Sequence, residues 1–328
     1  MQSIFYDRAG DVAEALRLGA APGAKFIGGG TNLLDLYKGG VEQPQRLVDI
    51  SRLALAGIDA LPDGGVRLGA LASNTAAANH PLVRQRYPLL AQALLEGATA
   101  QLRNMATVGG NLLQRTRCYY FMDPNLGACN KRTPGSGCAA IEGYNRIHAI
   151  FGASEACIAV HPSDMAVALC ALDATVQVNG PQGERSVPIA DFHRLPGDTP
   201  WRDANLADGE LITAVDLPPS PFATHSHYVK VRDRASYAFA LVSVAAALAL
   251  EDGVVADLRI VLGGVAHRPW RSTDAEDALR GQALSDERLV AAAEAAIEGA
   301  RPFTHNAFKV ELARRAVMRA VRQAGETV

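Results

Sequence analysis

The sequence predicts an α+β protein of two or three domains, and three observations lead there. Its 328 residues exceed the usual span of one domain. Over the first two thirds, short strand signals alternate with helical patterns, whereas after residue 221 the strands come first and the helices last. Between the two stands Pro218-Pro219-Ser220-Pro221, a linker signal. With 48% apolar residues, a formal charge of −2 and a pI near 6.5, the chain can bury a large core and carries no basic footprint for nucleic acid. No run approaches the ~18 apolar residues of a membrane span.

Residues 11–20 place apolar side chains at helical spacing. Lys25-F-I-G-G-G-T-N-L-L-D-L-Y then reads as a strand, a glycine turn and a helix start. Strand signals follow at Arg46-L-V-D-I and Gly65-V-R-L-G-A, then a helical stretch from about 82 to 96. A second glycine turn, Ala106-T-V-G-G-N-L-L, precedes a long irregular window, after which His161-P-S-D opens a helix ending near Leu172. Ala174-T-V-Q-V-N-G-P-Q-G reads as a hairpin around Asn179-Gly180, and Glu210-L-I-T-A-V-D-L-P as a strand. Beyond the linker, strands at Ser226-H-Y-V-K-V, Ser243-V-A-A-A-L-A-L-E and Val255-A-D-L-R-I-V-L precede helices at 273–280, 286–299 and 306–323, an α+β unit of its own.

The irregular window holds four of the five cysteines: Cys118, Cys129, Cys138 and Cys157, separated by ten, eight and eighteen residues. Thiolates are soft donors, and four of them complete an iron–sulfur cluster or a zinc site. These spacings match neither a zinc ribbon nor a ferredoxin run. The Pro, Gly and Asn content argues for an irregular wrap, and long loops in compact domains are usually functional. Two disulfides, or unrelated buried thiols, are the other readings. Cys170 lies in an apolar run and is expected in the core.

Gly28-Gly29-Gly30-Thr31-Asn32 is neither a Rossmann fingerprint nor a P-loop, so neither nucleotide hydrolysis nor a Rossmann dinucleotide fold is indicated. Successive glycines still permit close backbone approach and exposed N–H groups, an anion-binding nest; a plain tight turn is the alternative. Gly109-Gly110-Asn111, with Thr107 nearby, repeats the theme.

Lys25-F-I-G-G-G-T-N-L, Asn104-M-A-T-V-G-G-N-L-L, His161-P-S-D and Tyr228-V-K-V-R-D-R-A-S-Y-A-F-A-L-V-S together resemble the FAD-binding subunit of molybdenum hydroxylases, the xanthine dehydrogenase and carbon monoxide dehydrogenase class. The resemblance runs from about residue 2 to the C-terminus. Gln114-R-T-R-C-Y-Y-F, Cys129-N-K-R-T-P-G-S-G-C-A-A and Ser154-E-A-C-I look like the flavoprotein subunits of bacterial periplasmic aldehyde oxidoreductases, which carry a [4Fe–4S] cluster in an inserted loop. The flavin subunits of 4-hydroxybenzoyl-CoA reductases, which also have a cluster loop, are the alternative. The resemblance implies a p-cresol methylhydroxylase-type FAD-binding fold over residues 1–217, with two α/β subdomains at roughly 1–57 and 58–217 and an Fe–S loop at 115–160. A C-terminal domain of the CO dehydrogenase flavoprotein type follows over 222–328.

Carried over by position, the resemblance implies that Phe26, Ile27, Gly28, Gly29, Gly30, Thr31, Asn32 and Leu33 line the FAD pyrophosphate and ribityl chain. Thr107, Gly110 and Asn111 join them from the second loop. Asp164 bonds ribose or ribityl hydroxyls with His161 near it, Ile212 belongs to the same cofactor set, and Lys230 approaches the isoalloxazine ring, where a cation favours reduced flavin. By residue type alone, Asp164 equally suits the N-cap of the following helix, Lys230 a solvated strand position, and His161 an ordinary loop. Cys118, Cys129, Cys138 and Cys157 are the implied cluster ligands.

The implied role is electron transfer inside a complex. A large molybdenum-cofactor subunit oxidises an aldehyde, a small [2Fe–2S] subunit relays electrons, and this chain hands them to an external acceptor. Glu96-G-A-T-A-Q lacks the aromatic residue that NAD-reducing relatives set against the flavin, and Tyr237 replaces an acidic residue, so the acceptor is expected not to be NAD. A zinc-stabilised interaction module and a stand-alone flavin oxidase are the rivals from other classes. The N-terminus shows no export signal of its own. Periplasmic location by co-export with a partner bearing a twin-arginine signal is expected, with the cytoplasm as the alternative.

Overall fold

The computed structural model describes residues 3–326 as three sheets with helices between and outside them. The first sheet is parallel, with strands β1 (Phe5–Arg8), β2 (Ala24–Ile27) and β3 (Arg46–Asp49) in the order β1-β3-β2. Parallel strands need crossovers, and the helices Val12–Gly19 and Leu33–Lys38 supply them. Asp11 starts the first helix by accepting from Glu14 N at 2.7 Å, and Glu14 reaches back to Gly10 N at 2.9 Å.

The second sheet is antiparallel: β4 (Ile58–Ala60), β5 (Val66–Gly69), β6 (Thr175–Gly180), β7 (Gly183–Pro188) and β8 (Leu211–Leu217), in the order β4-β5-β8-β6-β7. Leu90 and Leu94 of helix Pro88–Glu96 and Met165 and Leu169 of helix Asp164–Ala171 share one apolar core with its strands. The third is β9 (His225–Val231), β10 (Val242–Glu251), β11 (Val254–Gly263) and β12 (Trp270–Arg271), in the order β12-β11-β10-β9. Strand alternation splits β10 between two cores. Val244, Ala246 and Leu248 face the C-terminal helices, whereas Ala245 and Ala247 join the core around Asp164–Ala171. The C-terminal unit therefore has its own core and shares a second with the chain before it.

Four local readings change. The helix expected over 82–96 is two, Pro81–Arg86 and Pro88–Glu96, because the ring of Pro88 disfavours helical backbone at Tyr87. The second glycine stretch is the helix Val108–Leu112, capped by Thr107. Gly180 pairs with Gly183, so the hairpin turns at Pro181-Gln182 and not at Asn179-Gly180. Strand β1 and the short helix Tyr119–Met122 carried no signal that was read. Among the described residues no helix is long and apolar enough to cross a membrane.

Candidate functional site

A cavity of about 690 Å³ lies between the glycine turn after β2, the helices Pro88–Glu96, Val108–Leu112 and Asp164–Ala171, the start of the cysteine loop, and strands β9 and β10. Its floor is two glycine segments locked together. Gly29 lies so close to the 105–111 segment that an added Cβ would sit 1.7 Å from the Met105 carbonyl oxygen, so only glycine fits. Gly30 turns the chain at φ +70°, the left-handed region that favours glycine. Opposite, Thr107 Oγ1 accepts from Gly110 N at 3.1 Å, and a Cβ on Gly110 would crowd that oxygen at 2.9 Å. Asn32 Oδ1 accepts from Arg115 N at 2.8 Å, while its buried Nδ2 has no partner in the protein. A buried, unpaired amide at the wall of a cavity between two glycine cradles fits an oxygen-rich cofactor. Asn111 Oδ1 accepts from Ser163 Oγ at 2.7 Å, joining the second cradle to the helix Asp164–Ala171.

Ser163, and not Asp164, caps that helix, accepting from Ala166 N at 2.9 Å. Asp164 is thereby free to turn inward. Its Oδ2 accepts from Lys230 Nζ at 2.7 Å and its Oδ1 from Tyr228 OH at 2.8 Å, and Lys230 also donates to Glu96 O at 3.0 Å. The Lys230 side chain is 1% exposed, so it is a buried cation and not a solvated strand residue.

Thr31, Asn32, Gly110, Asn111, Asp164 and Lys230 line the cavity. Phe26, Ile27, Gly28, Gly29, Gly30 and Leu33 form the strand, turn and helix start behind it, and Thr107 holds Gly110 from below. His161 and Ile212 are elsewhere. His161 is half-buried with its ring 4.0 Å from that of His193, and desolvation pushes its pKa well down. Ile212 packs in β8 among core aliphatics. Arg117, which sequence reasoning missed, also lines the cavity, its guanidinium 4.9 Å from the Phe239 ring and its buried Nε unpartnered. Its position one residue before Cys118 was the available signal.

The cysteine loop adjoins this cavity. All four cysteines belong to one apolar cluster with Phe121, Ala140 and Ile158; Cys129 and Cys138 face each other across a β-bridge, and none is in a disulfide. The two-disulfide reading is thereby set aside. Among the described residues no three His, Cys, Asp or Glu side chains close on a point as a single ion would require. Backbone N–H groups aim at sulfur: those of Tyr120 and Phe121 at Cys118, those of Ala140, Ile141 and Ile158 at Cys138, and that of Ala159 at Cys157. Burial pushes the Cys118 thiol up to about 12, whereas a hydrogen bond from Cys157 draws Cys138 down to about 6.

Where an irregular loop is buried it must satisfy its backbone polar groups, and side chains do so here. Asn130 bridges Gly137 N and Ala156 O, and Asn145 spans Ala140 O and His305 N. Buried Lys131 donates to Pro200 O at 2.6 Å and pairs with Asp203, which also takes Arg115 at 2.7 Å. Burial raises the Asp203 carboxyl, but Lys131 and Arg115 outweigh it and hold the group well below the usual carboxylate range.

Residues 2–220 match the family of the FAD binding domain in molybdopterin dehydrogenase, and residues 227–324 that of the CO dehydrogenase flavoprotein C-terminal domain. The chain belongs to the FAD-binding subunits of the molybdenum hydroxylase family. This flavoprotein is 52% identical over 319 residues to the aldehyde oxidoreductase FAD-binding subunit PaoB of Escherichia coli, covering 96% of each chain. It is 29% identical over 301 residues to a putative xanthine dehydrogenase FAD-binding subunit of the same species, covering 90% of this chain and 86% of that one. The carbon monoxide dehydrogenase of Hydrogenophaga pseudoflava superposes with a TM-score of 0.77 at 27% identity, over 98% of this chain and 97% of that one. Quinoline 2-oxidoreductase from Pseudomonas putida gives 0.76 at 25%, over 99% and 98%. The flavin-binding fold and C-terminal flavoprotein unit expected from the resemblance are those the flavoprotein has.

Proposed function

We propose that this flavoprotein is the FAD- and [4Fe–4S]-binding electron-transfer subunit of a heteromeric molybdenum-dependent aldehyde oxidoreductase. It takes electrons from a partner's [2Fe–2S] clusters and passes them to an external acceptor other than NAD. Identity of 52% along nearly the whole length of an aldehyde oxidoreductase subunit supports the complex and its substrate class. One observation carries the electron-transfer role: Cys118 and His148 line the same cavity as Asn111, Asp164 and Lys230. The cysteine loop is part of the flavin site's wall.

FAD supplies a carrier that takes electrons singly and gives them up in pairs. The backbone of residues 28–31 and Gly110 would hold its diphosphate, with the Asn32 amide as a further donor. Lys230, paired with Asp164 at the cavity wall, would set a cation near the ring, and Asp164 keeps lone pairs for a hydroxyl. For the cluster, four thiols in one apolar cluster with backbone N–H groups aimed at them suit ligands that must lose their protons. Gly97 and Ala98 line the cavity where NAD-reducing relatives are expected to carry an aromatic residue, in keeping with an acceptor other than NAD, although Tyr237 and Phe239 line it from the C-terminal unit. The sheets support a division near 1–57, 58–217 and 222–328, with the cluster loop at 115–160. Co-export to the periplasm on a partner's signal is part of the proposal.

The test is anaerobic mixing of aldehyde with the purified complex and with the isolated chain. Aldehyde should bleach the flavin band only in the complex, and NAD should not restore it. Oxidation of aldehyde by the isolated chain with an artificial acceptor would contradict the subunit role.

A further inference from the structure

Two histidines that no cofactor assignment uses lie against the cysteine sulfurs. His148 Nε2 is 3.1 Å from Cys118 Sγ, and His267 Nε2 is 3.3 Å from Cys157 Sγ. Both rings are buried, at 1% and 6% exposure. They reach the sulfurs from different places, His148 from within the loop between Cys138 and Cys157 and His267 from the turn after β11.

The environment decides which ring nitrogen carries the proton. In both rings Nδ1 is buried with no partner. A proton there would be an orphaned donor, costing about 1–3 kcal/mol; on Nε2 it points at sulfur. The geometry therefore selects the Nε2–H tautomer at both positions.

The rings are also held in place. The His148 carbonyl accepts from Lys309 Nζ at 2.7 Å and from Asn306 Nδ2 at 3.1 Å, and both of those side chains are fully buried in the C-terminal unit. Next to His267, Ala266 O accepts from His161 N at 3.0 Å, which gives the segment around His161 a structural task. His148 and Cys118 line the flavin cavity, whereas His267 and Cys157 do not.

We propose that His148 and His267 are positioning residues that donate Nε2–H···Sγ bonds to two of the four cluster thiolates and raise the reduction potential of the cluster. The proposal rests on the cluster reading given above. Hydrogen bonds to ligand sulfur are one of the levers that set such potentials, because a reduced cluster carries one more negative charge and is stabilised more by the same donor. Two donors on two ligands of one centre would bias it toward accepting electrons, and the one on Cys118 stands at the cavity wall.

The experiment uses the whole complex with His148→Leu, His148→Gln, His267→Leu and His267→Gln, each assayed for iron and acid-labile sulfide and titrated anaerobically with the cluster followed by EPR. With iron content equal, each leucine variant should show a lower midpoint than wild type. Each glutamine variant, which keeps an N–H donor, should return part of the way. Full clusters with unmoved midpoints in the leucine variants would overturn the proposal and leave the cluster reading intact. A wild-type complex without iron would overturn the cluster reading and the proposal together. If leucine strips the cluster at one site, the other site decides by itself.

Discussion

Gly29→Ala is the substitution through which the structure speaks most directly about the flavin site. The new methyl would stand 1.7 Å from the Met105 carbonyl oxygen and 2.7 Å from its carbon. Both obstacles are backbone, so no side chain can rotate away. The loop must retreat by about 1.3 Å before that contact reaches even 3.0 Å, the least that real Cβ atoms show. Overpacking of this kind costs about 1–3 kcal/mol. The larger consequence is geometric: the retreat separates the 28–31 cradle from the 105–111 cradle, and a misplacement near 1 Å in a preorganised site is felt strongly. FAD content should fall well below one per chain and flavin dissociation should accelerate, followed by absorbance near 450 nm and by fluorescence of released FAD. Gly10→Ala, whose methyl meets only the end of the Glu14 side chain at 3.4 Å, is the control. A Gly29→Ala protein that binds FAD stoichiometrically with unchanged affinity would refute the interlocked-cradle argument.

Other perturbations test other parts. Asp164→Asn strands the buried Lys230 ammonium and should cost about 3–5 kcal/mol in urea unfolding, and the double variant with Lys230→Met should recover much of it. Equal, additive losses would contradict a coupled pair. Lys309 has its pKa pushed down to about 7 by burial, with Arg146 adding to it, against an ordinary 10.5. Between those values the unfolded chain binds a proton that the folded chain does not, so stability should rise with pH across that window. Lys309→Met should flatten the slope, and an unchanged slope would argue against a depressed value. Cys138→Ser should strip most of the iron, whereas Cys170→Ala, in the apolar core, should keep it at a cost of about 1–2 kcal/mol in stability. Iron content should separate the two at once.

Where structure follows from local chemistry, the sequence was readable. Strand β2, its glycine turn and the following helix are a contiguous pattern, as are the three C-terminal helices and the apolar run that buries Cys170. The same holds for the irregular course of the cysteine loop. Errors arose where two local signals competed. Asn179-Gly180 is the stronger turn dipeptide, yet β6 continues through it because Val176 and Val178 must stay on the core face. Ser163 and Asp164 both suit an N-cap, and the choice between them depends on Lys230, 66 residues away. The packing of His161 against His193, and the two histidines on sulfur, have no local signature at all, because they arise only when distant segments of the chain come together.

The central claim is that one chain joins a flavin site to an iron–sulfur site. Quantitative flavin, iron and acid-labile sulfide analysis of the intact complex, set beside the same analysis of a complex carrying Cys118→Ser and Cys138→Ser in this chain, tests it most directly. The account predicts one FAD in both, and four irons and four sulfides fewer in the variant. Equal iron in the two complexes, or zinc in place of iron, would contradict it.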